Sequence, residues 1–127
     1  MTVSVAGATR AGAKVWLWRI GFVAACLLQL YGVYSPQQAG PDVGLPLADK
    51  AAHLFLFGSV AFLGLKAGVP SRWLLVALVS NAVVSELVQH FVLPQRGGDP
   101  LDSLADLVGV AVGAWIAART KAQQGGP

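Results

Sequence analysis

The stretch RWLLVALVSNAVVSELVQHFVL, residues 72–93, decides how the rest of the chain is read. Apart from Arg72 at its start, it carries one formally charged side chain, Glu86, in its 22 residues. A helix needs roughly 20 mainly apolar residues to cross the hydrocarbon of a bilayer, whereas a strand of this length would be unusually long. Residues 72–93 therefore predict a transmembrane helix. Gly68 and Pro70 bound it on one side and Pro94 through Pro100 on the other, which marks a tight turn and a loop.

Working outward, the same pattern recurs three times. Val15–Tyr34 is an apolar run of 20 residues, closed by Ser35-Pro36. Arg19 lies one turn inside it, where its stem can carry the charge back to the headgroups. Trp16 and Trp18 at one end, and Tyr31 and Tyr34 at the other, suit aromatic belts. Residues 35–48 are rich in Pro, Gly and polar residues and read as a loop. Asp49 is the expected N-cap of a second span ending near Lys66, the weakest by hydropathy because it holds His53. Leu101–Ala118 is the fourth span. The expected division is a cytoplasmic tail over 1–14, a four-helix membrane domain over 15–118 and a second tail over 119–127. The fold class is all-α, a four-helix transmembrane bundle.

Composition agrees. Hydrophobic residues make up 55% of the 127 and charged residues 12%, about half the charge of a soluble domain. So small a soluble chain has too much surface to cover with so few charges. The net charge of +3 comes with no basic stripe and no interleaved aromatics, which excludes nucleic acid as a partner. The single cysteine, Cys26, rules out an intrachain disulfide. Val23-Ala24-Ala25-Cys26 resembles a lipidation box, but the apolar run continues past it, so Cys26 is read as a small core residue.

Four spans put the N-terminus, the 66–72 turn and the C-terminus on one side. Arg10, Lys14, Arg19, Lys66, Arg72, Arg119 and Lys121 lie there, seven of nine basic residues; only Lys50 and Arg96 lie opposite. The positive-inside rule then predicts both termini in the cytoplasm. All six acids (Asp42, Asp49, Glu86, Asp99, Asp102 and Asp106) fall on the outer side or in the outer half of a span. That segregation needs its own cause, because acids weigh little in topology.

The polar residues within the spans are spaced to share faces. Asp49 and His53 stand at i, i+4 with Lys50 between them; Glu86, Gln89 and His90 share a face of the third helix; Asp102 and Asp106 share one of the fourth. A charge in hydrocarbon costs ~2.5 kcal/mol or more, so these groups should face one another or a wet cavity. The expected arrangement is one outward-opening polar pocket lined by Asp49, Lys50, His53, Glu86, Gln89, Arg96, Asp102 and Asp106. Gly109 and Gly113 have the spacing that lets helices approach closely.

Asp49-Lys50-x-x-His53, Glu86-x-x-Gln89, Arg96, Asp102, Asp106, Gly109 and Gly113, in that order and spacing, resemble the VanZ-like family. The resemblance covers roughly residues 47–117. It implies a small bacterial polytopic membrane protein of the cytoplasmic membrane, in a family named for a member linked to resistance to the glycopeptide teicoplanin. That family usually has Asn where this chain has Asp106, which sets aside any role that needs an amide donor there.

Each of these residues also has a plainer reading. His53 is a proton-transfer group beside Asp49, or a hydrogen-bonded helix-end residue. Glu86 is neutral, or paired with Lys50, Arg96 or His53. Gln89 and Asn81 read as helix–helix hydrogen bonds and His90 as an interfacial residue. Arg96 either clamps a phosphate or carboxylate, or pairs with Asp99. Asp102 and Asp106 could hold a divalent cation with Glu86; the favoured alternative is capping by Asp102 plus an interhelical bond from Asp106, with no metal. Arg96-Gly97-Gly98-Asp99 reads as a turn alone. No nucleophile triad, zinc spacing or phosphate-cradling loop is present, and no cofactor is expected. The expected partners are membrane lipids, including a lipid-linked cell-wall precursor; an enzyme acting on such a lipid and a purely structural protein remain as rivals.

Overall fold

The computed structural model describes residues 5–37, 44–45 and 47–126, and Asp42 lies outside them. Four α-helices follow one another: α1 (Val5–Tyr34), α2 (Ala48–Lys66), α3 (Ser71–Phe91) and α4 (Pro100–Gln124). All four are long and apolar enough to cross a membrane. The protein is an integral, multi-pass membrane protein with an all-α bundle. Its outer surface agrees with that environment. Leu17, Ile20, Leu27, Leu28, Trp73, Val76, Phe91 and Leu104 are each more than half exposed, a surface for lipid tails rather than water.

Two helix ends differ from expectation. Residues 5–14, read as a loose tail, continue α1, and α4 runs past Ala118 to Gln124. Extending an existing helix adds a hydrogen bond per residue with no new nucleation cost. Ala6, Ala8, Ala11 and Ala13, and then Arg119, Lys121 and Ala122, are good helix formers. Hydropathy reports where lipid ends; the helix ends where propensity does, here at Gly125.

The caps also move. Asp49 is not the N-cap of α2: the helix begins a residue earlier, behind Leu47, where the Ala48 N–H already donates to the Leu45 carbonyl at 3.1 Å. Asp49 sits in the first turn, where a carboxylate meets the positive end of the helix dipole. Asp99, rather than Asp102, caps α4 by accepting from the Leu101 N–H at 2.9 Å, with Pro100 following in the first turn. Between α2 and α3 the Val69 N–H donates to the Gly64 carbonyl and Gly68 takes φ +88°, the left-handed step that ends a helix tightly.

Helix α2 is the centre of the bundle, packed against each of the other three, while the backbones of α1 and α4 make no close approach. The closest approach is α2 on α4. A methyl group built on Gly109 would run into the Leu54 carbonyl, and one on Gly113 into the Gly58 carbonyl. One on Gly58 would stand 3.0 Å from the Gly109 oxygen. Three glycines thus let two backbones meet directly, the main source of attraction where lipid removes the hydrophobic drive between helices. On α2's other side, Phe57, Val60 and Ala61 pack with Ala25 and Val33 of α1 and Leu74, Leu78 and Ala82 of α3.

Candidate functional site

The parallel contact between α2 and α4 sets the register of everything polar. Because Gly109 lies against Leu54, His53 comes level with Asp106 and Lys50 with the start of α4. His53 Nδ1 and Asp106 Oδ1 are 2.8 Å apart, in side chains about 4% and 1% exposed. Lys50 Nζ donates to Asp99 Oδ2 at 2.7 Å and to Asp102 Oδ1 at 2.9 Å. The other oxygen of Asp102 stands 4.0 Å from His53 Nε2. Asp102 therefore joins the two pairs into one chain, Asp99–Lys50–Asp102–His53–Asp106, running along the α2–α4 seam. Asp49 adds its carboxylate, with ligand atoms of Asp49, His53 and Asp102 all within 4.8 Å of one another.

Those three side chains are near enough to share a cation. One oxygen of Asp102 is already engaged by the Lys50 ammonium, while the other faces His53. Asp99 lies beyond the helical spans, and the Lys50 hydrogen bond, helped by the Leu101 N–H, holds its carboxyl below the usual carboxylate range.

Glu86 approaches from α3. It is half-buried, and it makes no hydrogen bond or ion pair among the described residues. Lys50 is committed to two other carboxylates and each nitrogen of His53 already faces one, so the pairings expected for Glu86 are absent. Its carboxylate lies against the backbone of Gly98, where an added methyl would sit 2.6 Å from Oε1 and 2.7 Å from His90 Cβ.

Two residues expected in the pocket point elsewhere. Gln89 is 2% exposed and donates from Nε2 to the Val33 carbonyl of α1 at 2.8 Å, a bond between helices. Arg96 reaches the Gln37 carbonyl at 3.4 Å; it neither pairs with Asp99 nor meets the acidic chain. Asn81 accepts from the Tyr34 hydroxyl at 2.6 Å, and His90 is exposed with its ring edge-on to Phe91.

Sequence reasoning missed Gly98 and Asp99 by reading 96–99 as a turn alone. Asp99 is cap and ion partner at once, and Gly98 is the space that admits Glu86. A signal for Asp99 was present: Asp99, Asp102 and Asp106 are spaced by three and four, one stripe of a single helix. No local pattern marked Gly98, because what it makes room for comes from another helix.

No protein-family model, characterised protein or solved structure matches this chain. The site must be read from its own chemistry. Five carboxyl groups (Asp49, Glu86, Asp99, Asp102 and Asp106) face one lysine and one histidine, so the cluster is net acidic. Four of the five lie in or beside the paired chain. Glu86 is left over.

Proposed function

We propose that this is a bacterial cytoplasmic-membrane protein whose acidic end faces outward and receives the polar head of a lipid or lipid-linked cell-wall precursor. Glu86 is the receiving group. The observation that carries the reading is its position: a half-buried carboxylate, without a hydrogen-bond or ion-pair partner among the described residues, beside a net-acidic seam whose lysine and histidine are already engaged by other carboxylates.

The sign of the site narrows the ligand. An anionic head group has no cation to meet, because Lys50 is held between Asp99 and Asp102 and Arg96 lies away from the cluster. Glu86 suits an ammonium or another hydrogen-bond donor instead, and a charge-assisted bond is about twice as strong as a neutral one. A catalytic form of this reading would also rest on Glu86, since both nitrogens of His53 face carboxylates. The VanZ-like resemblance adds teicoplanin susceptibility as a phenotype of interest.

The test compares native protein and Glu86→Gln in nanodiscs of mixed phosphatidylethanolamine and phosphatidylglycerol. Native protein should retain the ethanolamine lipid preferentially, and the variant should lose that preference while keeping its melting temperature. Equal retention by both would overturn the proposal. If the variant instead melts early, Glu86 serves the bundle and the structural reading takes its place.

A further inference from the structure

At the opposite end of the bundle the chain builds a second feature, independent of the acidic seam. Because the backbones of α1 and α4 make no close approach, their ends are held apart across α2. The register of α2 on α4 brings Lys121 level with Lys66, and α1 passes Lys66 at Trp18, so that Lys14 lies one turn further out. The α2–α3 turn, with Gly68 and Val69, forms the floor. The result is a cleft of about 760 Å³ lined by Lys14, Lys66 and Lys121, one lysine from each of three helices, and by no acid.

We propose that this cleft holds the phosphate-bearing head group of an anionic phospholipid, with Lys14, Lys66 and Lys121 as its counter-charges. Three observations favour a lipid over a free anion. The walls between the lysines are apolar, with Val15, Trp18, Leu65 and Val69 among them, and suit the glycerol and first methylenes of a lipid. The cleft lies at the basic end, where Lys66 Nζ stands 5.9 Å from both the Trp18 and Phe62 rings, Arg72 lies 5.2 Å from Trp73 and Arg119 4.8 Å from Trp115. Trp beside Lys and Arg is the pattern of a headgroup layer. Basic pockets between transmembrane helices on the cytoplasmic side suit lipids with several phosphate charges, and a volume of several hundred cubic ångströms exceeds what one phosphate fills.

The experiment is native mass spectrometry of the detergent-solubilised full chain titrated with cardiolipin, phosphatidylglycerol, phosphatidylcholine or inorganic phosphate. Cardiolipin should bind most tightly, phosphatidylglycerol next and phosphatidylcholine least. Lys14→Gln and Lys121→Gln should each weaken cardiolipin binding about fivefold, the worth of one basic residue near an anionic lipid surface. Arg10→Gln removes the same charge from the same end without touching the cleft and should leave binding unchanged. Lys66 also packs on two aromatic rings, so its substitution is a supporting measurement only. The proposal fails if Arg10→Gln costs as much as Lys121→Gln, which would mean diffuse attraction to a basic surface. It also fails if phosphatidylcholine binds as well as cardiolipin, or if millimolar inorganic phosphate displaces the lipid.

Discussion

The two ends of this bundle use charge in opposite ways. At the acidic end, Lys50, His53, Asp102 and Asp106 are turned inward and matched to one another between α2 and α4, with His53, Asp102 and Asp106 buried. At the basic end, Arg19, Lys66, Arg72 and Arg119 lie over aromatic rings at the rim, and no ion pair among the described residues ties them together. The first end shows charge used as helix-to-helix bonding, where loss of one partner strands the other. The second shows charge resting on aromatic rings at the rim, with no counter-ion among the described residues. Similar residue types, separated by the thickness of a bilayer, thus carry different energetic weight.

The sharpest way to break this contrast is at the buried pair. His53→Ala leaves Asp106 buried without its partner and should destabilise the bundle by about 3–5 kcal/mol, read by thermal or chemical unfolding in detergent. Asp106→Asn, which keeps a hydrogen-bond acceptor of the same shape, should cost far less. Equal losses would mean that packing, rather than pairing, is what His53 and Asp106 supply.

Next in size is the glycine contact that sets the register. Gly113→Ala places a methyl against the Gly58 carbonyl, so the helices must separate, for about 1–3 kcal/mol. Gly126→Ala, with open space around it, should be silent. If Gly113→Ala is equally silent, the direct backbone contact is not what brings His53 level with Asp106.

Single basic residues at the other end should matter least to folding. Arg10→Gln and Lys121→Gln lie on exposed helix surface and should shift stability by within about 0.5 kcal/mol in lipid-free detergent. A loss comparable to that of His53→Ala would erase the distinction between the ends.

Acidification sharpens the comparison further. The Asp99 carboxyl titrates below its unfolded value, so its contribution is fully present above about pH 4 and is lost as pH falls through the folded value. Native protein should lose some stability as pH falls below the usual carboxylate range, and Asp99→Asn should lose less over the same descent. An identical acid limb in both would place the titrating group elsewhere.

Much of the contrast was legible in the sequence, for physical reasons. Residues 72–93 declare a span because hydrocarbon admits few alternatives, and the sorting of seven basic residues to one side follows from how chains enter membranes. The stripe Asp102/Asp106 and the pair Asp49/His53 were visible because residues on one helix face obey a fixed period. What failed was non-local or propensity-driven. That Lys50 takes Asp99 and Asp102, leaving Glu86 over, depends on the α2–α4 register. Gly109 and Gly113 could be picked out, but not the Gly58 and Leu54 backbone they rest on. The ends of α1 and α4 escaped because hydropathy stops at the membrane surface and helix propensity does not.

A double-mutant cycle on His53 and Asp106, with unfolding free energies for His53→Ala, Asp106→Ala and the double variant, tests the central claim most directly. If the acidic end is a paired seam, removing the second partner after the first should cost little, leaving a coupling of about 1–3 kcal/mol. Losses that simply add, to within about 0.5 kcal/mol, would mean that the two side chains do not support each other and that α2 and α4 are not joined in this register.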